Sequence, residues 1–379
     1  MINDRNKLTV LQIVNGYFGA SLYESMFEAL GSRGINSTIY VPINKNDKCD
    51  LNSRLHSNTD VYVSKCFSTF DRILYFPKQR KIYSDLKSSF DMKKYNVVHA
   101  HTVFSAGYAA MCLKKAYGIP YAVAVRNVDL NLFFNKIPLL REVGVKILMN
   151  ASKIVFLSAA YKNNVIGNYI PQDKKMDVEK KSVIIPNGIN QIFISNRGTS
   201  KIINKKNIKL IYVGEINRNK NIEQIISAAK ILMCRNYQVS IMCIGDVTDK
   251  VCKRLVKNPL VMHYQGCSQQ QLLDYYRQAD IFVMVSHAET FGLVYAEAIS
   301  QGLPVLYTRG QGFDSQFDEG EVGYSVSDKD VAELADKIEL VINQYDNISN
   351  RCVQRADKFE WKMISKQYLE IYKEIMEND

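Results

Sequence analysis

The sequence predicts an α/β protein built from two doubly wound, Rossmann-like domains. Three observations carry that expectation. The chain has 379 residues, too many for one ordinary core and enough for two of roughly 150–200 residues. Short apolar runs rich in β-branched residues alternate with amphipathic segments, and the runs are apolar on both faces, as parallel strands covered by helices are. A polar, basic stretch without apolar periodicity, residues 196–207 (NRGTSKIINKKN), separates two such series.

Taken in order, the expected strands of the first series are 9–14, 37–41, 96–99, 121–125, 153–157 and 182–185. Those of the second are 209–213, 239–244, 261–264, 281–285 and 304–307. The domains are therefore expected at 1–195 and 196–355. A terminal helix follows at 356–379, with an apolar stripe of Trp361, Ile364, Tyr368 and Ile371. Open α/β sheets bind ligands outside the carboxyl ends of their strands, so the residues that follow each strand are the ones to inspect.

Composition narrows the partners. Residues 1–195 carry 26 Lys and Arg against 14 Asp and Glu, whereas the remainder carries 23 against 24, so the whole net charge of +11 sits on the first half. A one-sided basic domain suits an anionic partner or serves solubility alone. No nucleic-acid motif accompanies the charge, so nucleic acid is not an expected partner. Eight cysteines without a CxxC pair or a histidine at ligand spacing read as free thiols. No apolar run approaches the ~20 residues of a membrane span. The polar opening followed by a short apolar run lacks the pattern of a signal peptide, so a cytoplasmic protein is expected. The single D-x-D, Asp328 to Asp330, precedes an amphipathic run and reads as a helix cap, and no metal site is expected.

The strongest chemistry lies after the strand at 281–285, in HAETFGLVYAEAISQG (287–302). A helix starting near Gly292–Leu293 and ending at Gly302 would leave the backbone N–H groups of Phe291, Gly292 and Leu293 free to meet a diphosphate. Glu289 lies before the helix and Glu297 inside it. Their carboxylates can accept hydrogen bonds from hydroxyls on either side of the phosphates. After the strand at 209–213, GEINRNKN offers Arg218 and Lys220 as counter-charges. In the first series, NVVHAH puts His99 and His101 on one face, with His101 nearer the carboxyl end. Gly19 closes the loop NGYFGA after the first strand, and YAVAVRNVD carries Arg126, Asn127 and Asp129.

These segments together resemble glycosyltransferase family 4, whose members are retaining enzymes of GT-B fold. Glu289 and Glu297 match its E-x(7)-E motif, and the likeness runs through nearly the whole chain. The resemblance implies two Rossmann-like domains facing a cleft, with the terminal helix crossing back to the first. It also implies a metal-independent hexosyltransferase that moves sugar from a UDP- or GDP-linked donor without a further cofactor. Glu289 would contact the donor sugar, Glu297 the ribose, and the amides of Phe291, Gly292 and Leu293 the sugar and diphosphate. Lys220 matches the family lysine, His101 the histidine near the donor sugar, and Gly19 the glycine of the first loop. Arg126, Asn127 and Asp129 fall where acceptor contacts are expected, although the family's histidine there is missing. Glu215 occupies the place of the family's arginine. Arg218 either supplies that guanidinium from a shifted position or is a solvated loop residue.

The implied acceptor is a glycan or a lipid-linked sugar, in bacterial surface polysaccharide synthesis. A related GT-B epimerase or phosphorylase, or a binding module without catalysis, stays open on the residues alone. Residues 70–90 mix Phe70, Tyr75, Phe76 and Tyr83 with Arg72, Lys78, Arg80 and Lys81. They suit either an anionic membrane, placing the protein peripherally at the inner face of the cell membrane, or a solvated helix with a buried apolar side.

Overall fold

The computed structural model describes residues 8–18, 21–47 and 59–378, and Gly19 lies outside the described residues. Two compact units emerge. The first comprises residues 1–157, 162–186 and 361–379, and the second 158–161 and 187–360. The expected boundary at 195/196 thus falls at 186/187, because the short helix Gln191–Ser195 packs on helices of the second unit, Gln269–Gln278 and Leu293–Ser300. The terminal segment divides too. Phe359 joins an aromatic cluster of the second unit with Phe291, Phe313 and Phe317, and the helix beginning at Trp361 belongs to the first.

The first unit holds a seven-stranded sheet of β1 (Thr9–Ile13), β2 (Asn36–Asn44), β3 (Thr59–Phe67), β4 (Val97–Ala100), β5 (Tyr121–Ala124), β6 (Lys153–Phe156) and β7 (Ser182–Ile184), in the order β3-β2-β1-β4-β5-β6-β7. The second holds six strands, β8 (Asn207–Val213), β9 (Gln238–Ile244), β10 (Val261–Tyr264), β11 (Ile281–Met284), β12 (Val305–Thr308) and β13 (Gly323–Val326), in the order β10-β9-β8-β11-β12-β13. Every pairing between these strands is parallel. Both sheets are therefore doubly wound, with the direction of winding reversing between β1 and β4 and between β8 and β11.

β3 and β13, the strands the sequence did not announce, are edge strands. Burial alternates along β3, in keeping with one solvated face, so it lacks the continuous apolar run that marks the interior strands.

The core of the first unit packs Val10, Phe27, Leu30 and Ile39 together with Trp361, Ile364, Tyr368, Ile371, Tyr372 and Ile375 from the helix Trp361–Asn378. That helix repeats apolar residues at three- and four-residue spacing and lies against the helix Ser21–Gly31. Arg33 pins it further, donating to the Lys362 carbonyl at 2.6 Å.

Candidate active site

A doubly wound sheet binds ligands where its winding reverses, because loops from the two central strands diverge there and open a crevice. In the second unit those strands are β8 and β11, paired through Leu210–Ile281 and Ile211–Phe282. Their following loops are 214–221 and 285–292. The fold therefore brings the two sequence-predicted segments together. Lys220 Nζ lies 2.6 Å from Glu289 Oε2, and each side chain is no more than a fifth exposed. The other carboxylate oxygen of Glu289 accepts from the Thr290 amide at 3.0 Å.

Glu289 is held from behind as well. Its amide donates to Gln311 Oε1 at 2.9 Å, and its carbonyl accepts from the Gly312 amide at 2.8 Å. On the lysine side, Asn217 caps the single turn Arg218–Lys220. Asn219 then joins that turn to the glutamate loop. Its side-chain amide donates to the Ala288 carbonyl at 2.9 Å and accepts from the Ala288 amide at 3.0 Å, while its own carbonyl accepts from the His287 amide at 2.8 Å. Nothing in the sequence marks Asn219 except that it adjoins Lys220.

The helix Leu293–Ser300 begins where expected. Gly292 at its start has φ +73°, and a Cβ there would come within 2.5 Å of the Tyr295 ring. No side chain caps the helix, so its first turn presents backbone donors and the positive end of its dipole. Phe291 is buried against Phe359. Glu297 sits one turn in, half-buried, and accepts from the Tyr276 hydroxyl at 3.1 Å. Burial pushes its carboxyl up to about 7, against the pull of that hydrogen bond.

Arg218 does not join this cluster. It is 71% exposed on its side chain and pairs with Asp249 at 3.1 Å. The parallel bridge between Ile216 and Val247 carries the 214–221 loop toward the loop after β9, where Asp249 lies. Glu215 is exposed beside a pocket of about 390 Å³ at the carboxyl ends of β8, β9 and β10, lined also by Gly214, Gly245, Asp246, Gly266 and Leu272. Gly245 is required there, since a Cβ would stand 2.1 Å from the Gly214 carbonyl oxygen. Asp330 does cap the helix Val331–Asn343, accepting from the Glu333 amide, whereas Asp328 pairs with His287 Nδ1 at 2.6 Å. Among the described residues no group of three or more His, Cys, Asp or Glu gathers as a metal site.

In the first unit the winding reverses between β1 and β4, and His101 follows β4 immediately. It is fully buried, stacked on His99 at 4.1 Å and flanked edge-on by Tyr23 and Phe27. Its Nε2 donates to Gln12 Oε1 at 2.9 Å, which leaves Nδ1 with a lone pair and no partner. Burial holds the ring neutral, lowering its pKa well below the ordinary value, and His99 and Arg126 add to the effect. His99 hydrogen-bonds the Tyr372 hydroxyl at 2.7 Å, and burial takes its pKa down to about 3.

Of the three residues expected at the acceptor, Asn127 is exposed and Arg126 half-buried, the latter hydrogen-bonded to Tyr368. Asp129 is different and the expectation for it is corrected. It is fully buried, and its carboxylate accepts from the amides of Phe104 at 3.0 Å and Arg126 at 2.8 Å. It organises two turns of backbone and has no free face for a ligand. Burial lifts its pKa to about 6, opposed by those backbone hydrogen bonds.

Two parallel, doubly wound units, with the residues that bear charge gathered at the winding reversal of the second, define a two-domain α/β protein of the GT-B class. Known proteins place it further. The model for Glycosyltransferase Family 4 matches residues 22–191, and that for Glycosyl transferases group 1 matches 196–359. The chain is 25% identical over 301 residues to a D-inositol 3-phosphate glycosyltransferase of Arthrobacter, covering 74% of this chain and 70% of that one. It is 28% identical over 204 residues to the capsular polysaccharide biosynthesis glycosyltransferase CapM of Staphylococcus aureus, covering 51% and 53%. Among solved structures it resembles Anabaena Alr3699/HepE in complex with UDP and glucose, with a TM-score of 0.68 at 17% identity, over 97% of this chain and all of that one. The chain belongs to the family 4 glycosyltransferases and has their GT-B fold.

Proposed function

We propose that this glycosyltransferase transfers a sugar, with retention of configuration, from a nucleoside-diphosphate donor to a hydroxyl of a glycan or lipid-linked acceptor in surface polysaccharide assembly. The Lys220–Glu289 pair at the β8/β11 reversal, beside the uncapped start of the helix Leu293–Ser300, carries this reading. On donor binding, the Lys220 ammonium turns from Glu289 to the diphosphate, and the amides of Gly292 and Leu293 meet its oxygens. Glu289 is then free to accept from hydroxyls of the donor sugar. Glu297 accepts from the ribose, and the pocket lined by Gly214, Gly245 and Leu272 receives the base. Lysine and helix terminus offset the charge of the leaving group, so the proposal invokes no metal. The diphosphate takes the proton of the incoming hydroxyl on the donor's own face, and the protein contributes orientation and charge stabilisation.

In the first unit, Arg126 and Asn127 are assigned to the acceptor. The unmatched Nδ1 lone pair of His101 is assigned to a hydroxyl of the donor sugar. Arg218, already paired with Asp249, stays outside the donor contacts. The capsular polysaccharide relative and the UDP- and glucose-bound structure are consistent with this acceptor and donor chemistry. A lipid-linked acceptor would bring the protein to the inner face of the cell membrane.

The test is a thermal-shift panel of UDP, GDP and ADP, followed by sugars of the base that binds. A ligand at a hundred times its Kd stabilises by about 2.7 kcal/mol. Product analysis then separates transfer from epimerisation and phosphorolysis. Glu289→Ala is expected to abolish transfer. Undiminished transfer by that variant, or no stabilisation by any nucleotide, overturns the reading.

A further inference from the structure

Residues 70–90 contain the helix Tyr75–Ser89, which buries Gln79, Ile82 and Leu86 against the first unit. Its apolar side is thus already used. Lys81 is tied to Asp71 at 2.7 Å, and the Tyr75 hydroxyl donates to the Phe104 carbonyl at 3.0 Å. The exposed apolar surface lies just ahead of the helix and at its first turn. Phe70 and Ile73 are each 78% exposed and Leu74 52%, and Phe76 is also open to solvent.

A second segment meets this one. Ring contacts of Tyr75 with Phe133 at 6.2 Å and of Phe104 with Phe133 at 4.5 Å join residues 70–76 to the turn Asp129–Phe134. That turn exposes Leu132, and Arg141 folds back to donate to the Phe134 carbonyl at 2.6 Å. Leu139, between them, is 92% exposed. Both segments leave carboxyl ends of strands in the first sheet, β3 and β5 respectively. Exposed cations lie in the same segments, with Arg80 in the first half of the helix and Lys136 in the second segment.

Isolated exposed apolar residues need no explanation, but six within two adjoining segments on the basic half of the chain do. An exposed apolar group transferred into hydrocarbon gains free energy, and lysine or arginine at its rim gains more beside anionic headgroups. The excess of positive charge, which resides entirely in residues 1–195, is complementary to an anionic headgroup surface.

We infer that residues 70–76 and 132–139 form a single insertion face for an anionic lipid bilayer. Phe70, Ile73, Leu74 and Leu139 enter the interface, and Arg80 and Lys136 meet the headgroups. The inference deepens the membrane position that a lipid-linked acceptor implies, yet it is tested without any sugar chemistry.

The experiment is co-sedimentation of the full chain with vesicles of phosphatidylcholine alone or mixed equally with phosphatidylglycerol. Binding to the mixed vesicles is expected to exceed that to the neutral ones by at least ~10-fold, and to weaken with salt. Ile73→Asp combined with Leu74→Asp should lower it ~10-fold or more. Both side chains project outward, so its melting temperature and circular dichroism should match the parent. A second measurement uses Phe70→Trp with brominated lipid. The one natural tryptophan, Trp361, is buried, so new quenching reports residue 70. Failure to bind mixed vesicles, full binding by the double variant, or an unquenched Trp at 70 overturns the inference. So does a concentration-dependent dimer, abolished by Ile73→Asp and Leu74→Asp, in the absence of lipid, because a second copy would then be the occupant.

Discussion

Glu289 gives one carboxylate oxygen to the Lys220 ammonium and the other to its neighbour's amide, so the two charges offset each other within the second unit. Lys220→Met leaves that carboxylate largely enclosed without a counter-charge. It should lower stability by about 1–3 kcal/mol and transfer by ~100-fold or more, measured by denaturation and by initial rates. Asn219 touches no proposed ligand atom and acts by positioning. Asn219→Ala should lower kcat/KM by ~10-fold with a melting temperature that moves little, whereas Asn219→Asp keeps the acceptor for the Ala288 amide and should recover part of the loss. Equal loss by both variants would assign Asn219 to folding alone. Glu297 titrates at about 7 in the folded chain against an ordinary 4.5. The folded state holds its proton longer, so this contribution to stability is complete below 4.5 and is lost as the pH rises through 7. Melting temperature against pH should show that decline in the parent and not in Glu297→Gln. If the ionised carboxylate accepts the ribose hydroxyls, donor affinity should rise over the same interval in the parent alone. At this scale the sequence singled out residues whose chemistry is their own, such as Lys220 and Glu289, and the fold brings these two together. It did not reveal Asn219, Gln311 or Tyr276, whose place comes only from what the fold sets beside them, nor that Asp129 faces inward to two turns of backbone.

Among elements, the helix Leu293–Ser300 was legible at both ends, because a glycine start and a Gly-x-Pro finish are local signals. Gly292→Ala tests how much depends on that start. The positive φ and the 2.5 Å approach to Tyr295 should cost about 1–3 kcal/mol of strain, and realigning the first turn should weaken nucleotide binding, read by calorimetry. A parent-like affinity would show that the helix terminus does not hold the diphosphate. Interior strands announced themselves by continuous apolar runs. β3 and β13 did not, since β3 alternates between buried and exposed positions and β13, though buried, breaks its apolar run with Gly323 and Ser325. The segment 70–90 was readable as basic and aromatic, but Ile73 and Leu74 look like core residues until the structure shows nothing above them.

At the level of the molecule, two sheets imply two cores, and a nucleotide should stabilise only the unit that binds it. Chain ending at Glu360 provides the sharper case. It lacks Trp361, Ile364, Tyr368, Ile371, Tyr372 and Ile375, all buried in the first core. The first unit is expected to lose cooperative unfolding and aggregate. The second, whose strands β8 to β13 are intact, should still bind nucleotide with near-parent affinity; loss of that binding would show that the second unit does not stand alone. The two-domain plan was visible from length and the doubled strand series. The boundary was misplaced by nine residues, because the polar break in the sequence lies at 196–207, whereas the short apolar helix Gln191–Ser195 before it already packs on the second unit. Lastly, the first unit is assembled from segments on both sides of the second, and this has a kinetic meaning. While the chain emerges from the ribosome, β1 and β4 wait with Gln12 and His99 lacking Tyr372, as the intervening unit completes itself. The order of maturation runs against the order of synthesis, so a protease acting during translation would find the earliest-made strands the longest unprotected.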